Sequence, residues 1–429
     1  MAQNYRLDTL AIHGGYTPDI AEHSTAVPIY QTNAYAYESV QHATDLFNLS
    51  RPGNIYTRLN NPTNAVLEER VSLLDGGVGG LAMASGHSAI FSTILCLAGA
   101  GDEIVSSRLI YGGAINMLGI TLGNIGIKVN FVDPDDLDAW EAAVNNKTKA
   151  FFVEIVGNPN ANVVDLEGIT RIAHRHGIPM ISDSSMTTPY LIKPIEYQTD
   201  IVIHSATKYL GGHGTSMAGV IVDSGNFQWE GNPRFPQFNS PDVSYHGVNF
   251  GKDCGRAGFI TRLRTLQLRD IGACLSPFNS FMILQGIETL SLRMRRHCDN
   301  ADAVAGYLES HKGVAKVNYP GLKSNKYYPL VQKYLPKGCG SVFTFELEGG
   351  KAAGVRFMES LSFIRNVSNL GDSRSIVSHP ATTTHSQLSE QQLIDAGISS
   401  GTVRISVGIE DIEDILEDLE RAMDSAVGR

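Results

Sequence analysis

The sequence predicts an α/β chain, in which a mostly parallel sheet covered on both faces by helices precedes a smaller α+β unit. Two observations carry this. Between Asn64 and Asp223 seven short apolar runs alternate with helical stretches, the pattern that crossover connections between parallel strands produce. Two of those runs also end on reactive residues: IPMISD delivers Asp183, and IVIHSATKYLGGHG passes through Ser205 and Thr207 to Lys208 before a glycine-rich turn. Ligands of such sheets bind outside the carboxyl ends of the strands, so both residues fall at one edge.

Taken in order, the first sixty or so residues, with PIYQTNAY followed by NIYTRLNNPT, show no sustained helical or alternating period. They are expected to form an arm over a surface, such as that of a neighbouring subunit. From Asn64, NAVLEERVSLLDGG reads as a helix stopped by glycines. LAMAS, DEIVSS, KVNFVD, AFFVEI, PMISDS, DIVIHS and AGVIVD read as strands, with SAIFSTILCLAGA, DLDAWEAAV and EGITRIAHRHG as helices between them. Asn226–Asp253, rich in Pro, Gly, Asn and aromatics, reads as a long ordered loop. Phe278–Asn300 reads as one long helix bridging into the second unit. There SVFTFELE and TVRISVG are the strand candidates, and EDILEDLERAMDSA is a closing acidic amphipathic helix. The expected divisions are an arm at 1–65, the sheet domain at 66–275 and the α+β domain at 276–429.

The chain has 429 residues, 42% hydrophobic and 18% charged, an ordinary globular composition long enough for two domains. A net charge of −10 without a long basic run argues against nucleic acid and anionic membranes as partners. Five scattered cysteines form no metal-type spacing; they suit a reducing compartment, with neither a disulfide framework nor a metal site. The amino-terminal stretch lacks the basic start and apolar core of a signal peptide, and no apolar run reaches membrane-spanning length. A soluble, cytoplasmic protein is expected.

Several features converge on a phosphate-bearing ligand. Lys208 sits among hydroxyls and glycines that suit a phosphate, and an anion such as Asp183 beside a lysine is what pyridoxal phosphate requires: the lysine forms a Schiff base and the carboxylate keeps the pyridine nitrogen protonated. Ser85-Gly86-His87 opens a helix whose N–H groups and dipole suit a dianion; a plain N-cap by Ser85 is the competing reading. Tyr111, after EIVSS, is placed to stack on a flat ring or simply to pack. Glu154 and Asn158 end another strand at the same edge, the latter also explicable as an Asn-Pro turn. Tyr56 and Arg58 pair a phenol with a guanidinium suited to phosphate, or to solvent. Arg404 alternates with Val403 and Ile405, which suits bidentate capture of a carboxylate or a structural ion pair. His204 reads as a satisfied core histidine. The glycines of GGVGGLAMASG precede their strand and do not make a dinucleotide fingerprint.

These residues resemble the Cys/Met metabolism family of pyridoxal-phosphate enzymes, of fold type I (aspartate aminotransferase-like), over nearly the whole chain. SATKYLGGHG is the strongest match, with YTRLNNPT, ASGHSAI, YGG, EIVGNP and DSSMTTPYL around it. SPDVSYHG, the stretch from LRDIGACL to HCDNA, and the stretch from SNLGDSRS to SVGIED resemble the O-acetylhomoserine sulfhydrylase branch. The resemblance implies that Lys208 is the Schiff-base lysine, Asp183 the partner of the ring nitrogen, and Tyr111 the stacking ring. It implies that Gly86, His87, Ser205 and Thr207 bind the phosphate, that Ser185 packs against the ring, and that Asn158 sits near the phenolic oxygen. Arg404 would take the substrate carboxylate, helped by Asn369. Tyr56 and Arg58 would reach the phosphate of an adjacent subunit, Tyr56 also touching substrate, in a homotetramer of active-site-sharing dimers. Two departures bear on substrate preference: DSSMTTPYL stands where the family usually has DNTFATPYL, and YGGAI where the branch has YGGT followed by an aromatic.

The implied reaction is γ-replacement, with O-acetyl-L-homoserine and sulfide, or methanethiol, giving L-homocysteine, or L-methionine, and acetate. Lys208 would move the Cα proton, with Tyr111 as a candidate acid or base at the γ-carbon. A γ-lyase acting on methionine or cystathionine shares these motifs. A non-catalytic scaffold would need loss of the lysine or aspartate, and both are present.

Overall fold

The computed structural model describes residues 5–18, 21–380, 383, 398–399 and 401–426. Residues 384–397, part of the SNLGDSRS to SVGIED stretch, lie outside the described residues. The larger sheet has seven strands: β1 Gly79–Met83, β2 Glu103–Ser107, β3 Lys128–Val132, β4 Thr148–Glu154, β5 Met180–Asp183, β6 Ile201–His204 and β7 Gly219–Asp223. Their order is β1-β7-β6-β5-β4-β2-β3. Pairing is parallel from β3 to β6 and antiparallel where β7 meets β6 and β1.

Period-2 alternation explains how both faces are buried. Ile201 and Ile203 pack with Leu81, Ile104, Phe152, Ile181 and Ile221 on one face, while Val202 packs with Val105, Phe151, Val153, Met180 and Val220 on the other. Ile201, Val202 and Ile203 are wholly buried. At about 1.5–3 kcal/mol for each such side chain, apolar burial holds β6 in place. The helices begin with two in the amino-terminal segment, α1 Leu7–His13 and α2 Val40–Phe47, followed by the predicted α3 Pro62–Asp75 and α4 Gly86–Leu97 and by the short α5 Gly112–Asn116. Asn61 caps α3 by accepting from the Thr63 N–H, and Gly76 ends it at φ +84°, a conformation that favours glycine.

The smaller sheet is mixed, in the order β10-β11-β12-β9-β8, with β8 Val314–Asn318, β9 Val342–Leu347, β10 Arg365–Asn366, β11 Ile376–Ser378 and β12 Thr402–Ser406. Helix Ile412–Ala426 closes the described chain. Three findings differ from the sequence expectation. The amino-terminal segment contains two helices, of seven and eight residues, too short for their periodicity to stand out. Asn226–Asp253 includes the short helical turns Pro236–Asn239 and Phe250–Asp253. The expected helix over Phe278–Asn300 is two, Pro277–Glu288 and Leu290–Ser310, divided at Thr289 where ψ turns to 14°.

His204, at the end of β6, points to the α3 side and meets the last residue of that helix, with Nε2 2.7 Å from Asp75 Oδ2 and both side chains fully buried. This supports the reading of His204 as a core histidine. Removing one partner of such a pair strands the other without solvent. His204→Ala is therefore expected to lower the unfolding free energy by about 3–5 kcal/mol, measured by urea titration. A loss below about 1 kcal/mol would show the pair to be idle.

Candidate active site

Parallel pairing brings the carboxyl ends of β4, β5 and β6 together, with Glu154 opposite Asp183 and Asp183 opposite Ile203. Beyond them lies a cavity of about 220 Å³. Its lining includes Gly86, His87, Tyr111, Asn158, Asp183, Ser185, Ser205, Thr207, Lys208, Asn369 and Arg404, eleven of the thirteen residues expected from the sequence. Larger surface clefts of 610 and 900 Å³ contain none of these eleven.

One end of the cavity is the amino terminus of α4. Ser85 accepts from the Ser88 N–H, and Ser88 bonds back to the Ser85 N–H, a reciprocal cap. The N-cap reading of Ser85 is therefore correct, and it is compatible with anion binding because the first N–H groups of the helix lie beyond the cap. Gly86 lies close against Ser205: a Cβ at position 86 would fall 2.7 Å from that of Ser205. Ser205 donates its N–H to Ser185 Oγ at 2.6 Å, while the Ser185 N–H donates to Asp183 Oδ1 at 2.8 Å. The Thr207 hydroxyl donates to the Ala218 carbonyl at 3.2 Å and accepts the Ala218 N–H at 3.1 Å. It therefore braces the turn as well as lining the cavity. Tyr111, the N-cap residue of α5, stands edge-on to His87, with ring centroids 5.7 Å apart.

The opposite wall comes from the smaller sheet. Arg404 on β12 is 4% exposed, and its Nη1 donates to Asn158 Oδ1 at 3.1 Å and Nη2 to the Asn369 carbonyl at 2.7 Å. Both acceptors are uncharged, so the structural ion-pair reading does not describe these bonds. Among the described residues Arg404 Nε is buried without a partner, leaving the guanidinium with a donor to offer a carboxylate. Asn369 also accepts, through Oδ1, from Lys208 Nζ at 2.6 Å.

Burial, aided by the Arg404 charge, lowers the Lys208 pKa to about 8, and burial lowers that of Arg404 to about 10. Burial raises Asp183, against opposing bonds from Ser185 and the charges of His204 and His87; burial and Asp183 together raise Glu154. A lysine so perturbed is a nucleophile near neutral pH.

The residues 8–424 match the family described as Cys/Met metabolism PLP-dependent enzyme. The chain belongs to this family. An O-acetyl-L-homoserine sulfhydrylase of Leptospira meyeri is 46% identical, over 99% of this chain and 98% of its own length. A homocysteine synthase of Schizosaccharomyces pombe is 44% identical over 99% of each chain. Among solved structures, a Campylobacter jejuni protein assigned as an O-acetylhomoserine (thiol)-lyase superposes with a TM-score of 0.96 at 40% identity, over 98% of this chain and all of that one; it carries N'-pyridoxyl-lysine-5'-monophosphate.

The family cofactor, pyridoxal phosphate, suits the donors present. The helix terminus and hydroxyls offer a dianion site at one end, the lysine with its lowered pKa suits an aldehyde, and a protonated ring nitrogen would favour the charged form of buried Asp183. Tyr56 and Arg58 do not line the cavity of their own chain. Tyr56 is exposed, and the Arg58 guanidinium lies 5.4 Å above its ring and donates to the Arg269 carbonyl. Met217, Ser368 and Leu370 also line the cavity and were not anticipated. The last two flank Asn369 and were legible by adjacency; Met217 carries no sequence signal.

With its pKa lowered to about 8 from 10.5, Lys208 in the cofactor-free protein is charged below that value and neutral above it. The unfolded chain keeps the proton up to about pH 10.5, so the Lys208 contribution to stability rises with pH across that window. The rate of pyridoxal-phosphate attachment, followed by visible absorbance, is expected to climb with pH and level off above about 8. In Arg404→Leu the midpoint should move upward. A rate still climbing tenfold per unit at pH 9, about a unit past that midpoint, would refute the lowered value.

Proposed function

We propose that this protein catalyses γ-replacement on O-acetyl-L-homoserine, exchanging acetate for sulfide to give L-homocysteine, with methanethiol as a second acceptor that would give L-methionine. The observation that carries this reading is the bridge at Asn369, whose side-chain oxygen meets Lys208 and whose carbonyl meets Arg404. A basic amine and a carboxylate-binding guanidinium are thereby set one residue apart, the arrangement that an α-amino acid needs to present its Cα–H to a base. The relatives' activities support the acetylated homoserine as the substrate.

When bound, pyridoxal phosphate supplies the electron sink that stabilises charge developed at Cα. The protein supplies the rest. In this reading Lys208 attaches the cofactor and, once displaced by the substrate amine, removes the Cα proton and returns it during the later steps. Asp183 holds the proton on the ring nitrogen, and its link through Ser185 to Ser205 joins that end of the ring to the phosphate end. Gly86, His87, Ser205 and Thr207 hold the phosphate, Ser185 and Tyr111 flank the ring, and Asn158 meets its phenolic oxygen. Arg404 takes the substrate carboxylate, with Asn369 beside it. Tyr111 is also within the cavity for proton exchange at the γ-carbon. Over the cycle the Cγ–O bond to acetate is exchanged for a Cγ–S bond, and acetate leaves with the bonding pair.

In the same reading Tyr56 and Arg58 complete the phosphate site of a neighbouring subunit, within a homotetramer built from site-sharing dimers. The exposed Tyr56 and its cation partner support this. The five free cysteines suit the reducing cytoplasm. Among the described residues no helix is long and apolar enough to cross a membrane.

Product analysis of the cofactor-loaded protein tests the reaction. Homocysteine is expected only when sulfide accompanies O-acetyl-L-homoserine, and Lys208→Ala should form none. Equal rates of 2-oxobutanoate and ammonia release without sulfide would instead make it a γ-lyase. The shared site has its own check: inactive Arg58→Ala and Lys208→Ala chains, once subunit exchange is verified, should regain part of the activity when mixed. No recovery would place each site within one chain.

A further inference from the structure

Among the described residues Glu154 is the one carboxylic acid in the cavity to which the proposed reaction gives no task. Its position is nonetheless costly. It lies at the end of β4 opposite Asp183, is 7% exposed, and is held away from water beside a second carboxyl. Burial and the neighbouring Asp183 both push its pKa upward. A buried carboxyl beside another is tolerated only where its oxygens are satisfied. Both are: Oε1 accepts the Tyr111 N–H at 2.8 Å, and Oε2 accepts the Asn158 N–H at 3.0 Å.

These two donors belong to different loops, Tyr111 to the one after β2 and Asn158 to the one after β4. Tyr111 is the N-cap residue of α5, and its ring stands against His87 and over Gly113, where a Cβ would come within 2.5 Å of Tyr111 Cε1. Fixing the Tyr111 N–H therefore fixes the loop from which the ring projects. Asn158 accepts from Arg404 through Oδ1, Arg404 donates to the Asn369 carbonyl, and Asn369 accepts from Lys208. Fixing the Asn158 backbone anchors that chain of bonds at its end farthest from the lysine. We propose that Glu154 is a positioning residue: its two oxygens set the Tyr111 ring and the Arg404 guanidinium at a fixed separation within the cavity. A side chain with one acceptor, or with a shorter reach, can hold only one of the two loops.

The inference rests on the proposed reading of Tyr111 as the ring's neighbour and Arg404 as the carboxylate site. Its test uses the holoprotein with Glu154→Gln, which keeps one accepting oxygen, and Glu154→Asp, which keeps the acid but loses one methylene of reach. Visible circular dichroism reports the asymmetric surroundings of the bound cofactor without any substrate. Steady-state kinetics with O-acetyl-L-homoserine and sulfide report the carboxylate site. Both variants are expected to retain the cofactor absorbance, to lose about half or more of the visible ellipticity, and to raise KM about tenfold with a smaller change in kcat. Wild-type ellipticity and KM in Glu154→Gln would overturn the proposal and leave Glu154 as a satisfied buried acid. So would a Glu154→Asp protein that behaves as wild type while Glu154→Gln fails, because charge and not placement would then be the cause. Should the wild-type protein fail to turn over this substrate pair, the functional reading falls, and the ellipticity of the two variants still decides the role of Glu154.

Discussion

The site depends first on the parallel hydrogen-bond register of three strands. Because β4, β5 and β6 run the same way, their carboxyl ends open on one side of the sheet, and the pairing of Glu154 with Asp183 and of Asp183 with Ile203 sets them at one level. A shift of one residue in either pair would turn Asp183 toward the opposite face. Apolar burial on both faces prevents that shift, since Ile181 and Ile203 belong to one core cluster while Met180 and Val202 belong to the other. The chemistry at the strand ends is thus positioned by side chains that take no part in it.

The second constraint is electrostatic. The cavity gathers two cations, Lys208 and Arg404, and two acids, Glu154 and Asp183. Like charges about 4 Å apart at an effective dielectric near 20 repel by about 4 kcal/mol, so the folded protein relieves such crowding by moving protons. The directions agree with this. Lys208 goes down, by burial and then by Arg404; Glu154 goes up, by burial and then by Asp183. A protonated ring nitrogen at Asp183 and a substrate carboxylate at Arg404 would each bring the charge that its partner lacks. The same burial that makes the empty cavity unfavourable for isolated charges therefore favours a zwitterionic ligand set.

Much of this was legible in the sequence, for physical reasons that also mark the limit. Asp183 and Lys208 stood out because each ends a short apolar run, and a polar residue at that point has to face the sheet edge. Arg404 was placed correctly on its strand by alternation with Val403 and Ile405. Its partners were not readable, because the Asn158 contact spans 246 residues and no local pattern encodes it. The division of the long helix at Thr289 was hidden for a different reason: apolar residues continue on both sides, and the change is confined to the backbone of one residue, at φ −108° and ψ 14°. The separation of Tyr56 and Arg58 from the cavity of their own chain has no local signature either.

Asn369 shows how the two walls can act in sequence. Its side-chain oxygen holds Lys208, while its main-chain carbonyl holds Arg404. These are different atoms with different freedom: a side-chain amide can turn, whereas the carbonyl is fixed by the backbone. Were Lys208 to leave the amide to react, as the proposed function requires, the guanidinium would lose no bond, since its other partner is Asn158 and that residue is held from the far side by Glu154. In the proposed reaction, a lysine that has to move several times in one catalytic cycle would thereby be uncoupled from an arginine that has to stay still. A direct contact between Lys208 and Arg404 could not provide this, because two donors cannot bond one another.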